Sequence, residues 1–189
     1  ITNNKKYAER AQLLKSLAYG DRENRFMHKD IGFNYRMPNI QAALGVSQLK
    51  RIESVINKKR SIADFYRKAL SEIQDIQLPV EKPWAKNIYW MYGIVLDSKA
   101  GFAADDFRGA LAKRGVGTQP FFYPLHRQPV WRGSQYRKVR ERNKGKFPVA
   151  DKISKHGLYL PSGLGTTEKE IKHVAAVVRR LLETKQNDK

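Results

Sequence analysis

The sequence contains no cysteine, and this absence excludes several kinds of chemistry at once. Disulfide bonds, thiolate metal sites and cysteine nucleophiles all need that side chain. The 189 residues also contain no apolar run near the roughly 18 to 20 residues that a membrane-spanning helix needs. Residues 1–6 lack the apolar stretch of a secretory signal. We therefore expect a soluble protein of the cytoplasm that does not enter a membrane.

Acidic residues are scarce, with 18 Asp and Glu against 37 Lys and Arg, so the formal net charge is +19. A surface this positive attracts polyanions or small molecules that carry phosphate. The densest basic stretch covers residues 132–146, where seven basic residues accompany a single acid, Glu141. A solvated loop and a polyanion site are both compatible with such a stretch.

Motifs for metal binding and for a serine nucleophile are also lacking. No serine has the context of a nucleophile elbow. The glycine-rich turn at residues 161–165 matches no phosphate-binding loop, and we interpret it as a structural turn. Without an i, i+4 histidine pair we expect no metal site. The four histidines are far apart in the sequence: His28, His126, His156 and His173.

Apolar residues spaced three and four apart predict helices in the first part of the chain. Pro38 suits the first turn of one of them, where its missing N–H costs nothing. Residues 21–36 are polar, aromatic and aperiodic, which indicates an extended loop. The predicted helices cover residues 5–18, 39–56 and, after a kink near Asn57, 58–70.

The second part of the chain alternates between strand and helix patterns. Runs of aromatic and β-branched residues predict strands over residues 88–96, 116–123 and 158–160. Helices are expected over residues 103–114 and 147–156. A last helix is expected to begin after Thr166 or Thr167, either of which can cap it, and Glu170 lies three residues after Thr167, the spacing of a capping box. This order predicts an α+β domain with a three-stranded sheet and flanking helices.

Two segments have the composition of a binding site. Asn34, Tyr35 and Arg36 follow Gly32 and precede a helix start, where side chains and free backbone donors converge on anions. Alternatively, Tyr35 packs and Arg36 pairs with a local carboxylate. The aromatic residues 121–125 leave a predicted strand and are followed by His126, which either donates to a phosphate or caps the loop.

Residues 32–45, Gly-Phe-Asn-Tyr-Arg-Met-Pro-Asn-Ile-Gln-Ala-Ala-Leu-Gly, resemble the signature that follows the cofactor lysine in the DegT/DnrJ/EryC1/StrS family of sugar aminotransferases. Three further segments appear in the order typical of the family: residues 115–118, 123–126 and 160–163. Residues 89–92 and 121–129 are most similar to the GDP-perosamine synthase branch. The resemblance covers nearly the whole chain.

This resemblance implies the small C-terminal α+β domain of a fold-type-I aminotransferase, preceded by a helix and a dimer loop from the large-domain side. Residues 1–38 would then end the large cofactor domain and form the dimer-interface loop, residues 39–72 would form connecting helices, and residues 73–189 the small domain. The implied enzyme is a homodimer that uses pyridoxal 5'-phosphate. It transfers an amino group from glutamate to a nucleotide-linked 4-keto-6-deoxy sugar, for polysaccharide or O-antigen-type glycan synthesis.

The family pattern also assigns roles to individual residues. Asn34 would reach the cofactor phosphate of the neighbouring subunit, and Arg36 would lie near the nucleotide sugar. Phe122 would form an apolar wall of the sugar-nucleotide pocket, with Tyr123 and His126 as donors. The Schiff-base lysine is expected upstream of Ile1, so that the chain holds no catalytic residue of its own and is inactive alone.

Two other functions are compatible with parts of the sequence. The net charge of +19 suits a basic nucleic-acid-binding module. The scattered charges and the lack of a helix-turn-helix, finger or RNA-reading motif argue against nucleic acid as a partner. A remnant dimerisation domain is the other alternative.

Overall fold

The computed structural model describes residues 1–19, 26–28, 30–142 and 145–187. The chain divides into two compact units, Ile1–Ile52 and Glu53–Lys189. The predicted loop over residues 21–36 and the basic stretch over residues 132–146 both include residues outside the described ranges.

Among the described residues of the first unit, two segments are helical, α1 (Lys5–Lys15) and α2 (Asn39–Leu49). The side chain of Asn4 begins α1 by accepting the N–H of Tyr7 at 3.3 Å. The prediction that α1 extends to residue 18 was wrong, because Leu17 and Ala18 have positive φ angles of 64° and 50°. Pro38 lies at the N-cap of α2, one position before the first turn.

The second unit holds a four-stranded antiparallel sheet, and the prediction of three strands was wrong. The missed strand pairs with the strand predicted at 88–96, but it has only two residues, too few to give an alternating pattern. The strands are β1 (Ile76–Gln77), β2 (Tyr92–Leu96), β3 (Gln119–Pro120) and β4 (Gly157–Leu160), in the spatial order β1-β2-β4-β3.

Two of the predicted strands are shorter than expected. The strand predicted from residue 88 begins at Tyr92, because Tyr89 has a φ of 49° and interrupts the extended backbone. The strand predicted over residues 116–123 is reduced to Gln119–Pro120. The residues that follow it lie over the sheet and form the aromatic segment described below.

Helix α3 (Ile52–Leu70) begins at the boundary of the second unit. The predicted kink near Asn57 is wrong, because α3 is continuous there and the helical run breaks at Lys50 and Arg51 instead. At that break Arg51 donates its N–H to the carbonyl of Gln48, a tightened last turn. The described residues of the second unit also form the α-helices α4 (Ala104–Ala112), α5 (Arg137–Arg142), α6 (Pro148–His156) and α7 (Glu168–Asn187).

The predicted capping box of α7 is confirmed. Thr167 donates its backbone N–H to the Glu170 carboxylate at 2.7 Å, and Glu170 returns its own N–H to the Thr167 hydroxyl at 3.3 Å. None of the described helices is both long and apolar enough to cross a membrane.

The sheet has one face in the core and one face that carries the candidate site. Alternate residues of β2 and β4 are buried against α3, α4 and α7. On this face the ring of Tyr66 stacks on Tyr92 at 4.8 Å, and the Tyr66 hydroxyl donates to the carbonyl of Pro161 at 2.7 Å. The opposite face presents Gly93, Val95 and Tyr159.

Candidate functional site

In the first unit the candidate residues lie on an extended segment that pairs with the end of α1. Phe33 donates its N–H to the carbonyl of Leu14 at 2.7 Å, and Tyr35 donates to the carbonyl of Lys15 at 2.9 Å. The Leu17 N–H donates in turn to the carbonyl of Phe33 at 3.0 Å. These bonds hold residues 33–35 in an extended conformation, so that successive side chains alternate in direction.

Gly32 allows this pairing through a close approach of two backbones. A Cβ at this position would lie 2.3 Å from the backbone nitrogen of Ala18 and 2.4 Å from the carbonyl carbon of Leu17. Any larger residue would push the extended segment away from the turn that ends α1. The glycine of the sequence signature therefore has a local structural reason.

The alternation separates the segment into two pairs of side chains. Phe33 and Tyr35 stack with ring centroids 5.3 Å apart. Asn34 and Arg36 are the intervening residues, and both are exposed. Arg36 approaches the ring of Tyr19, with its guanidinium carbon 6.0 Å from the ring centroid. Asn34 therefore offers an exposed amide and Arg36 an exposed planar cation, two groups that suit phosphate oxygens.

In the second unit the candidate residues follow β3 on the aromatic segment, residues 121–128. Phe121 is the residue that seats this segment on the sheet. Its ring lies 4.4 Å from that of Tyr159, centroid to centroid. A Cβ on Gly93 would lie 2.6 Å from the Phe121 ring, and one on Gly157 would lie 2.3 Å from it. The two glycines therefore form a slot that the ring of Phe121 fills.

Beyond this anchor the segment presents Phe122 and Tyr123, each 70% exposed. The ring of Phe122 is 6.2 Å from that of Tyr159. The carbonyl of Tyr123 accepts a hydrogen bond from the side chain of Gln128 at 3.3 Å, which closes the segment on itself. A phenyl ring and a phenol thus stand exposed on a segment whose backbone is held.

His126 lies in a short 3₁₀ turn, Leu125–Arg127, and contacts the first turn of α6. Its Nε2 is 3.0 Å from Oδ1 of Asp151, and the Nε of Arg127 donates to the same oxygen at 2.9 Å. Its ring lies 4.9 Å from that of Phe147, the N-cap residue of α6. The hydrogen bonds from Arg127 and then His126 hold the pKa of the Asp151 carboxyl below its ordinary value.

A groove of about 570 Å³ lies beside the aromatic segment, between the start of α4 and α6. Tyr123, Arg127 and Asp151 line it together with Ser154 and Lys155 of α6. The lining combines aromatic, cationic and hydroxyl groups with the carboxylates of Asp105 and Asp151, a mixture that suits a polar ligand. Among the residues that the structure describes, no three potential metal ligands come together.

The predicted site residues thus fall into two groups. Asn34 and Arg36 share one side of an extended segment in the first unit, and Phe122, Tyr123 and His126 share one loop in the second. Their roles toward cofactor and substrate stay predictions.

The sequence predicted no site role for the residues that hold the second group in place. Asp151 is 25 positions from His126, so only the fold brings them together. Arg127 could have been found from the sequence, because it directly follows the predicted site residue His126. Phe121 is the first residue of the aromatic run, and this position indicated it less strongly.

Comparison with known proteins places these features in a family. The chain matches the DegT/DnrJ/EryC1/StrS aminotransferase family over residues 1–179. It is 32% identical over 155 residues to GDP-perosamine synthase of Vibrio cholerae, which covers 82% of this chain and 40% of that protein. GDP-perosamine synthase of Escherichia coli O157:H7 is 28% identical over 185 residues, 98% of this chain and 47% of that protein.

A solved structure supports the same assignment. The aminotransferase TlmJ from Streptoalloteichus hindustanus has a TM-score of 0.80 and 25% identity, over 96% of this chain and 46% of that one. The chain therefore spans less than half the length of these relatives. The resemblance predicted from residues 32–45 is confirmed, and the chain belongs to the DegT/DnrJ/EryC1/StrS aminotransferase family.

Proposed function

We propose that this chain is the C-terminal part of a pyridoxal 5'-phosphate-dependent aminotransferase that aminates a nucleotide-linked 4-keto-6-deoxy sugar, with glutamate as the amino donor. The observation that carries the proposal is the family match, supported by two relatives that are GDP-perosamine synthases. Polysaccharide or O-antigen-type glycan synthesis is the proposed use of the product, and the cytoplasm is the proposed place of the reaction.

Asn34 fits the role proposed for it at the cofactor phosphate. Its side chain is exposed, and an amide offers two N–H donors to phosphate oxygens. When bound, pyridoxal phosphate supplies the electron sink for amino transfer. Lys5 and Lys6 are exposed on α1, where Lys5 pairs with Glu9 at 3.9 Å, and neither is enclosed as a cofactor lysine must be. Neither is assigned the cofactor, and the proposal places the cofactor lysine outside this chain.

The sugar nucleotide is assigned to Arg36 and to the aromatic segment. A guanidinium presents a planar pair of donors to a pyrophosphate, and its charge stays positive at every physiological pH. An exposed phenyl ring such as Phe122 offers an apolar wall, while Tyr123 and His126 offer hydrogen bonds for hydroxyl or phosphate oxygens. These contacts bind and orient the substrate and leave the chemistry to the cofactor.

A homodimer is part of the proposal, and α2 supports it. None of the eleven residues of α2 is buried, although its sequence is largely apolar. Ile40, Leu44 and Leu49 are 74%, 64% and 67% exposed. A helix that is apolar on more than one side is stable in water only when other protein covers it. We assign that cover to the remainder of the enzyme and its twin subunit.

The role of Asn34 is tested by an isosteric change of charge. In the protein encoded by the complete reading frame, Asn34→Asp places a carboxylate opposite the cofactor phosphate. We expect pyridoxal phosphate to bind about tenfold more weakly or worse, followed by the visible absorbance of the bound cofactor. The matched control is Asn4→Asp, because an aspartate at that N-cap still accepts the Tyr7 N–H. Equal affinity in the two variants would remove Asn34 from the cofactor site.

The place of the cofactor lysine is tested on the 189-residue chain itself. After incubation with pyridoxal phosphate and removal of the free cofactor, we expect no visible absorbance to remain with the chain. A retained band that borohydride abolishes would show that a lysine within residues 1–189 holds the cofactor.

A further inference from the structure

We propose that Asp151 is a positioning residue of the sugar-nucleotide site: it fixes the orientation and the tautomer of His126, so that His126 offers its Nδ1 to the ligand. This inference rests on the proposed function, because it concerns the same loop. It assigns a role to a residue of α6 that lies outside the predicted site.

The carboxylate of Asp151 joins the loop of His126 to helix α6. One oxygen of Asp151 contacts two consecutive residues: it lies 3.0 Å from His126 Nε2 and accepts a hydrogen bond from Arg127 Nε at 2.9 Å. Asp151 itself is fixed in the first turn of α6, where its N–H donates to the carbonyl of Phe147 at 3.0 Å. The 3₁₀ turn that holds His126 is therefore tied to a regular helix by two bonds to one atom.

The charge of Asp151 determines which ring nitrogen of His126 carries a proton. The carboxylate lies beside the guanidinium of Arg127, stays ionised at neutral pH and can only accept hydrogen bonds. The nitrogen of His126 that faces it must therefore carry the proton. In the neutral ring this leaves Nδ1 as an acceptor, and in the charged ring it makes Nδ1 a donor. Asp151 thus decides which ring nitrogen remains for a ligand hydroxyl or phosphate.

Aromatic rings hold the two ends of the aromatic segment in place. The ring of Phe147 packs against the ring of His126, and the ring of Phe121 fills the slot between Gly93 and Gly157. The aromatic segment is therefore fixed at both ends, while Phe122 and Tyr123 between these ends are exposed. A loop that is fixed at its ends and exposed in its middle is arranged to meet a ligand without reordering.

The solvent exposure of His126, Asp151 and Arg127 indicates that their contacts position His126 more than they stabilise the fold. The side chains of His126, Asp151 and Arg127 are 23%, 32% and 63% exposed. Ion pairs this open to water add little to the stability of a fold. The arrangement therefore contributes more to where His126 lies than to whether the domain folds.

The test combines two readouts on Asp151→Asn, which keeps the shape of the side chain and removes its charge. The first readout is the ¹⁵N spectrum of the His126 ring in the 189-residue chain. We expect the wild type to hold the proton on Nε2 and the variant to populate both tautomers, because an amide can accept or donate. An unchanged ring spectrum would overturn the assignment of Asp151.

The second readout is GDP binding to the protein from the complete reading frame, measured by calorimetry. We expect Asp151→Asn to weaken GDP binding about five- to tenfold with an unchanged melting temperature. The control is Asp64→Asn, which breaks a carboxylate–guanidinium pair with Arg67 on α3 in which Asp64 is 59% exposed, and it should leave GDP binding unchanged. Equal affinity of wild type and Asp151→Asn would overturn the positioning role.

The two readouts separate this inference from the proposed function. If the wild-type protein binds no GDP or UDP at millimolar concentration while the ring spectrum responds as expected, the substrate class is wrong and with it the ligand assigned to His126. If GDP binds and the ring spectrum does not respond, the substrate class stands and the role of Asp151 is wrong.

Discussion

Single residues in the core show where polar groups cost stability. The hydroxyl of Tyr92 is buried and has no hydrogen-bond partner among the described residues, whereas that of Tyr66 donates to the carbonyl of Pro161. Burial raises the pKa of Tyr92 above its ordinary value of 10.0, so the group stays neutral throughout the physiological range. Of the two stacked tyrosines, Tyr66 thus has a hydrogen-bonded hydroxyl and Tyr92 a buried hydroxyl without a described partner.

We predict opposite effects for removing these two hydroxyls. Tyr92→Phe removes an unpaired buried group and should leave the free energy of unfolding unchanged or raise it by up to about 1 kcal/mol. Tyr66→Phe leaves the Pro161 carbonyl unpaired and should lower it by about 1 kcal/mol. Urea unfolding of both variants measures the difference. A larger loss for Tyr92→Phe than for Tyr66→Phe would show that the Tyr92 hydroxyl has a partner.

At the residue scale the sequence predicted part of the site. Gly32, Asn34 and Arg36 lie within four positions of one another, so their grouping could be found from local spacing. Asp151 could not be found in this way, because its hydrogen bonds to His126 and Arg127 depend on how α6 packs beside the aromatic segment. A contact between distant positions has no local pattern.

At the scale of elements, the sequence was informative where a local rule decides the structure. The capping box at Thr167 and Glu170 follows from two residue types and their spacing, and it predicted the start of α7. The two-residue strand β1 is defined only by its pairing with β2, which no local pattern reports. The late start of β2 depends on the left-handed conformation of Tyr89, which is unusual for a residue with a side chain.

The packing of the aromatic segment on the sheet leads to a prediction about a pair of positions. A methyl group on Gly93 would meet the Phe121 ring at 2.6 Å, so Gly93→Ala should lower the free energy of unfolding by about 1 to 3 kcal/mol. In a Phe121→Leu background the clash is smaller, and the cost of Gly93→Ala should fall by at least about 1 kcal/mol. A double-mutant cycle in urea measures this coupling.

The control for that cycle is Gly45→Ala in the same backgrounds. A Cβ at Gly45 meets no other atom within 4 Å, and its effect should be independent of residue 121. Additive effects of Gly93→Ala and Phe121→Leu would mean that the ring does not occupy the slot, and the seating of the candidate loop would need another explanation.

The whole molecule combines a strong positive charge with carboxylates that are tied into local hydrogen bonds. Arg10, Arg60 and Arg127 hydrogen-bond Asp30, Glu81 and Asp151, and these bonds are the largest cause of the lowered pKa of each carboxyl. Backbone N–H groups of Lys99 and Thr167 lower the pKa of Asp97 and Glu170 in the same direction. The acidic residues are few, and each of these five accepts hydrogen bonds that lower its pKa.

These shifts predict the direction of the pH dependence of stability. A carboxyl whose pKa is lowered in the folded state, such as that of Asp30 or Glu81, stabilises the protein at pH values above its ordinary pKa, 3.8 for Asp and 4.5 for Glu. It loses that contribution as the pH falls through the lowered pKa. We expect the melting temperature to be level between about pH 5 and 7 and to fall steadily from about pH 4.5 toward pH 2. Calorimetric scans across this range measure it, and a melting temperature that rises on acidification would contradict the assignment of these carboxyls.

The central claim, amination of a sugar nucleotide, is tested most directly by the reaction itself. The protein from the complete reading frame is incubated with glutamate, pyridoxal phosphate and a GDP-linked 4-keto-6-deoxy sugar, and the products are analysed by mass spectrometry. We predict that the nucleotide sugar gains an amino group while an equal amount of 2-oxoglutarate forms, and that omission of glutamate stops both. If neither this substrate nor its UDP-linked counterpart is aminated by the cofactor-loaded protein, the proposed function is wrong.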